Sequence, residues 1–294
     1  MASTADTSTT AGRPTDRTRP MPLLVGFALA WLGLLLIVVV FADFLTPHDV
    51  MRSDLRARLQ PPLFFGGSID HPLGTDELGR DMFSRLLASI RVSMLVAFAG
   101  TVIGAVLGTA LGMLAAARGG FVDDVIMMLV DVQAALPFII LALAVIAFLG
   151  SGLALFIVVV GLYGWERYAR IARGLTLAAR EDGYATAAAH LGAGPLRVYV
   201  QHILPNIISA LVVAFTVNFP ETMLLETSLS FLGLGIQPPA TSLGTMLGDG
   251  RDYLTTAWWI AVAPGVVIAL TGVAVSVIGD WLRDRFDPAL SRPT

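Results

Sequence analysis

Apolar positions along the chain gather into six long runs separated by polar stretches. They lie near residues 21–41, 92–117, 124–149, 152–172, 206–232 and 258–279. Each is about 20 residues or longer, enough to cross roughly 30 Å of hydrocarbon as a helix, the form in which a lone segment satisfies its own backbone groups. The pattern predicts an all-α integral membrane protein with six transmembrane helices and both termini on one side. The first run, Met21–Phe41, is too long for the apolar core of a signal peptide, and no clean small-residue cleavage site follows it, so it reads as a retained span. Residues 1–21 are rich in Ser, Thr, Arg and Pro without apolar periodicity and read as a disordered tail.

The polar stretches set an expected layout: a first helix over 22–43, an external segment over 44–90, a five-helix core over 91–282 holding a cytoplasmic loop at 174–205, and a tail over 283–294. In the long segment, Gly74–Leu87 carries helical signals. Thr75 or Asp76 can cap, and Leu78, Met82, Phe83, Leu86 and Leu87 form one apolar face, so a helix lying along the membrane surface is expected. Arginine placement orients the whole. With the N-terminus inside, 12 arginines fall on cytoplasmic segments and 7 outside, the direction of the positive-inside rule.

Composition agrees with a membrane protein. Of 294 residues 55% are hydrophobic and 14% charged, where a soluble domain carries about 25% charged residues. Cysteine is absent, which excludes disulfides and thiolate chemistry. Lysine is absent too, since all 19 cationic residues are arginine. A standard P-loop needs its lysine on the nucleotide phosphates, so the chain is not expected to be an enzyme that hydrolyses ATP. The histidines show no ligand spacing: His48 and His71 are far apart, and His190 and His202 lack acidic partners, so no metal site is expected. Nothing indicates nucleic-acid binding.

Three places can carry chemistry. The third run holds Asp124 and Asp131 on one face ahead of Pro137, which should kink the helix. The acids there suit either a hinge or a helix end reaching interfacial water. In the fifth run Asn218, Thr222, Glu226 and Ser230 recur every four residues, with Glu221 beside them. Such a stripe avoids lipid and faces either a translocation path, the preferred reading, or other helices through hydrogen bonds. Glu221 is the candidate for a substrate amine. Asp249, Arg251, Asp252 and Tyr253 form a polar external loop, followed by Trp258 and Trp259 as interfacial anchors.

The last place is the polar interruption 184–206. Ala185, Ala187, Ala188 and Ala189 favour a helix, Asp182 can cap it and Gly192 can end it. Pro195 then opens a second helix, and a break follows at Pro205. A small helix–turn–helix between two spans is a docking surface for a soluble partner, or else an ordinary connector.

The order Thr186-Ala187-Ala188, Gly192, His202-Ile203-Leu204-Pro205 resembles the EAA loop of ABC importer permeases. The family glutamate is replaced by Thr186. His71-Pro-Leu-Gly-Thr-Asp-Glu-Leu-Gly-Arg-Asp81, Tyr168-Ala-Arg170, Ser228-Leu-Ser-Phe-Leu-Gly-Leu-Gly235 and Gln237-Pro-Pro239 look like the C-type permease of dipeptide, oligopeptide and nickel importers. The resemblance implies a MetI-like permease bundle in the bacterial plasma membrane, carrying short peptides or, as the alternative, nickel. A stand-alone secondary transporter is the rival class. The implied partners are a homologous B-type permease, two ATPase subunits that hold ATP and Mg, an external substrate-binding protein, and lipid. Coupling to the ATPases would fall to Arg180, Glu181, Tyr184, Thr186, Ala187, Ala188, His190, Leu191 and Gly192.

Overall fold

The computed structural model describes residues 22–150, 152–181, 194 and 197–286. Within them the chain forms nine α-helices: α1 Leu23–Leu45, α2 Met82–Arg118, α3 Gly120–Ala135, α4 Phe138–Leu149, α5 Leu153–Gly161, α6 Trp165–Glu181, α7 Leu204–Phe231, α8 Leu243–Gly250 and α9 Trp259–Phe286. No strand occurs among the described residues.

Four helices are long and apolar enough to cross a membrane: α1, α2, α7 with its preceding turn, and α9. The pair α3–α4 makes a fifth if it is one broken span, because its two halves are bent by 94°. The residue before a proline is pushed out of the helical region. Leu136 accordingly adopts φ −95°, ψ 136°, and Pro137 caps α4. The anticipated kink is thus a full elbow. The fourth predicted span, 152–172, divides into the nine-residue α5 and the arginine-bearing α6. Gly164 makes the division, with φ +78°, and a Cβ there would meet the Asn218 amide at 2.5 Å. Only glycine fits that backbone and that space.

Two further expectations change. The surface helix does not exist as a separate element. Asp81 rather than Thr75 or Asp76 caps α2, its carboxylate accepting from the Ser84 N–H at 2.8 Å. From there α2 runs unbroken for 37 residues, about 55 Å at 1.5 Å per residue. Nor does the chain break at Pro205. A π-helical turn, Val198–Ile203, leads straight into α7 with the proline in its first turn, where a missing N–H costs nothing.

Among the described residues four apolar clusters hold the bundle, and the two largest define its layout. One joins α1, α2, α7, α8 and α9 around Met82, Phe219, Met246 and Ile260; the other joins α4, α5 and α7 to α2 around Phe156, Val160 and Leu229. The most extensive helix contact is between α2 and α6. Gly100, Gly104, Gly108 and Gly112 recur every four residues on the α2 face that meets this part of the chain. A Cβ on Gly104 would lie 3.0 Å from the Tyr163 carbonyl oxygen, and on Gly108 and Gly112 it would overlap the carbonyls of Trp165 and Ala169. Small residues at this spacing let helix backbones touch inside a membrane.

Gly108→Val should therefore force the helices apart and destabilise the fold by about 2–4 kcal/mol, the range for overpacking or somewhat above it. Gly272→Ala on α9, where a Cβ meets nothing within 4 Å, should melt at or above the wild-type temperature. Thermal unfolding in detergent checks both, and equal melting of the Gly108 variant and wild type would contradict the seam.

Candidate functional site

At the elbow between α3 and α4 lies a cavity of about 410 Å³, walled by Pro137, Phe138, Tyr163, Glu221 and Ser228. Glu221 is half-buried and is ion-paired with Arg167 of α6, while the Tyr163 hydroxyl reaches the same carboxylate at 3.4 Å. Arg167 begins a ladder along α6. Arg170 pairs with Asp131 at 3.0 Å, and Arg173 grips both oxygens of Asp123 at 2.5 Å. The three-residue spacing sets these guanidiniums on one side of the helix. The acidic partners come from α3 and α7, so α6 is clamped electrostatically to both. Asp124, singled out in the sequence, is exposed; its neighbour Asp123 makes the pair.

The polar stripe of α7 splits. Asn218, Thr222, Glu226 and Ser230 are 2%, 0%, 0% and 2% exposed, inside the chain's own bundle. The expectation of an open path is corrected for the first three. Thr222 returns its hydroxyl to the Asn218 carbonyl, Asn218 packs on Gly164, and Glu226 accepts from the Ser230 hydroxyl at 2.8 Å. Ser89 and Ser93 of α2 meet Thr241 and the Leu243 N–H nearby, so hydroxyls gather where α8 enters the bundle. Glu221 escapes this burial because its offset from the stripe turns it towards the elbow. Ser230 touches a second cavity, of about 320 Å³, which Gln237, Thr245 and Asp249 also line.

That second cavity sits at the loop-rich end of the bundle over a buried ion network. Asp76, fully buried, accepts from the Leu78 and Arg80 N–H groups, from Arg80 Nε at 2.6 Å, and from Arg85. Arg85, 3% exposed, also reaches Asp249 at 3.1 Å. One arginine thus ties the turn before α2 to the end of α8. Of the other expected loop residues, Arg251 and Asp252 are exposed and pair with each other at 3.2 Å, and Tyr253 is half-buried against the core. Trp258 is partly exposed as an anchor would be, but Trp259 is buried, its indole N–H donating to the Thr75 carbonyl at 3.1 Å. It locks loops together and is no interfacial anchor.

His48 and His71 are far apart in the sequence. The fold brings their rings to 5.1 Å, beside Asp81. At the opposite end, Arg180 donates to the Ala116 carbonyl at 2.5 Å, and Glu181 ends α6. Tyr184, Thr186, Ala187, Ala188, His190, Leu191 and Gly192 lie outside the described residues.

A family profile described as "Binding-protein-dependent transport system inner membrane component" matches residues 108–292. Among curated proteins, the chain is similar to the di/tripeptide transport system permease protein DppC of Pseudomonas aeruginosa, at 38% identity over 89% of this chain and 87% of that protein. The glutathione transport system permease protein GsiD of Pectobacterium atrosepticum is 39% identical over 90% and 87%. The dipeptide transport system permease protein DppC of Bacillus subtilis is 37% identical over 90% and 82%. Among solved structures, an inward-facing form of the MetNI methionine ABC transporter shares the fold, with a TM-score of 0.56 at 22% identity over 72% of this chain and 98% of that one.

Burial pushes the Glu77 carboxyl above its ordinary value of 4.5, and Asp76 and Asp249 add to the push against a backbone N–H and Arg85. The fold therefore favours the neutral acid. That contribution is complete below pH 4.5 and is lost as pH rises through the raised value. Glu77→Gln keeps an acceptor for Arg80 but cannot ionise, so its thermal stability should fall less steeply with rising pH. Parallel melting curves for the two proteins across about pH 4–8 would contradict this assignment.

Proposed function

The chain belongs to the family of binding-protein-dependent transport system inner membrane components, as a multi-pass permease of an ABC importer, and we propose that its cargo is short peptides. The observation that carries this reading is the cargo of its relatives. Those similar over most of both chains are permeases for di- and tripeptides, dipeptides and glutathione, all short peptides.

The elbow cavity suits such a cargo chemically. Glu221 lines its wall, and Arg167, half-exposed on α6, is ion-paired with it. A zwitterionic peptide offers an ammonium to the carboxylate and a carboxylate to the guanidinium, so it can replace one ion pair by two. In this reading Glu221 is the path residue of α7, with Ser230 at the outer cavity, while Asn218, Thr222 and Glu226 hold the helix in place.

The rest of the machine comes from partners. A homologous B-type permease completes the pore, two ATPase subunits supply ATP and Mg, and this chain hydrolyses nothing. The end of α6 at Arg180 and Glu181 and the loop after it dock the ATPases, the loop through Tyr184, Thr186, Ala187, Ala188, His190, Leu191 and Gly192, with both termini cytoplasmic. Asp249, Arg251, Asp252 and Tyr253 then face the external binding protein.

Two measurements test this. Glu221→Gln should lower dipeptide uptake into vesicles about tenfold, the worth of one charge-assisted contact, with assembly intact. Uptake at the wild-type rate would remove Glu221 from the path. Gly192→Val should abolish substrate-stimulated ATP hydrolysis in the assembled importer while the permease still inserts, because a β-branched residue resists the left-handed helix stop that the sequence predicts there. Stimulation at the wild-type level would dismiss the loop as the coupling element.

A further inference from the structure

His48, His71 and Asp81 come from three separate pieces of backbone at the loop-rich end, and each piece is fixed. The His48 N–H donates to the Ser84 hydroxyl at 3.1 Å. His71 sits in a turn closed by its own N–H to the Ser68 carbonyl and by the Gly74 N–H to the His71 carbonyl. Asp81 is the cap of α2.

Both imidazoles present Nδ1 to the one carboxylate. His71 Nδ1 lies 3.0 Å from Oδ1 and His48 Nδ1 lies 3.8 Å from Oδ2. One ligand atom from each residue falls within 4.8 Å of the others. Zinc bonds of about 2.0–2.2 Å at tetrahedral angles place ligand atoms about 3.4 Å apart, between the two distances seen.

The charge balance of the cluster is unusual. The Asp81 side chain is 1% exposed, yet its ion-pair partners among the described residues are these two histidines alone. The nearby arginines are committed elsewhere, Arg80 to Asp76 and Glu77, and Arg85 to Asp76 and Asp249. Buried carboxylates are paired or bind metal. His48 Nδ1 is itself buried with no hydrogen-bond partner, since 3.8 Å exceeds hydrogen-bond reach. The His48 and His71 side chains remain 34% and 18% exposed, which leaves an approach for an ion.

We propose that His48, His71 and Asp81 bind a first-row divalent cation of the zinc type, which fastens the segment leaving α1 to the N-terminus of α2. Two imidazoles and one carboxylate suit such an ion, whereas calcium and magnesium prefer oxygen ligands throughout. The ion neutralises Asp81 and satisfies the idle Nδ1 together. Without it, the contact between His71 Nδ1 and Asp81 at 3.0 Å does part of the same work.

The assembled importer is incubated with Zn²⁺, freed of excess by gel filtration, and its metal content measured by mass spectrometry. Wild type should retain about one equivalent per chain more than the His48→Gln/His71→Gln double variant. Zinc should also slow trypsin cleavage after the exposed Arg52 and Arg56 in wild type and leave the variant unchanged. Equal zinc in both proteins, or cleavage indifferent to zinc, would overturn the proposal and leave a hydrogen-bonded His71–Asp81 pair. Should the variant fail to assemble, Co²⁺ added to wild type gives a second reading. A visible ligand-field band displaced by zinc supports the site, and its absence overturns it.

Discussion

Everything in this bundle depends on two helices touching without side chains between them. Lipid offers no hydrophobic drive to bring helices together, so association rests on close packing and internal hydrogen bonds. Along α2, four glycines spaced four residues apart lay the backbone against the chain from Val160 to Ala169. The turn at Gly164 has to form for this to happen, and the Asn218 side chain fills the space beside it. The seam thus places α6, and α6 in turn carries the arginines that reach Asp123, Asp131 and Glu221. Apolar packing, glycine geometry and ion pairs are successive layers on that one contact.

Many polar groups inside the bundle are spent on one another. Glu226 meets Ser230, the serines of α2 meet the backbone and hydroxyls at the start of α8, and Asp76 draws two arginines and two backbone N–H groups. Removing one member of such a pair strands the other in a medium that cannot solvate it, at a cost of about 1–3 kcal/mol for a hydroxyl or amide and about 3–5 kcal/mol for a buried ion pair. The elbow pair of Glu221 and Arg167 differs in being half-open. Its members can exchange partners because water, or a ligand, can reach them.

Much of this was legible in the chain and some was not, for physical reasons. Apolar runs located α1, α2, α7 and α9 because hydropathy reports burial in lipid directly. Pro137 announced its elbow, though not the 94° that it makes. The 152–172 run concealed a division because Gly164 looks like any other glycine until Asn218 is packed against it. The stripe on α7 was visible as a period of four, but whether it faces a path or a neighbour depends on helix rotation, which period alone does not supply. The glycines of α2 carried a readable signal in Gly100, Gly104, Gly108 and Gly112. The pairing of His48 with His71 had none, because a loop closed that distance. The motifs 71–81 and 186–205 pointed to the family on their own.

The seam also has a mechanical meaning. Helices joined through backbone have no rotamers to rearrange between them, so α2 and α6 turn as one stiff piece. From the Gly108 contact with Trp165, the arm along α6 to Glu181 is about 24 Å and the arm along α2 back to Met82 is about 39 Å, at 1.5 Å per residue. The short arm ends at the loop after Glu181, while the long arm ends at the opposite face, under Asp81 and the Arg85 network. A small displacement at the one end becomes roughly one and a half times the linear travel at the other. The fold is a lever whose fulcrum is made of glycine.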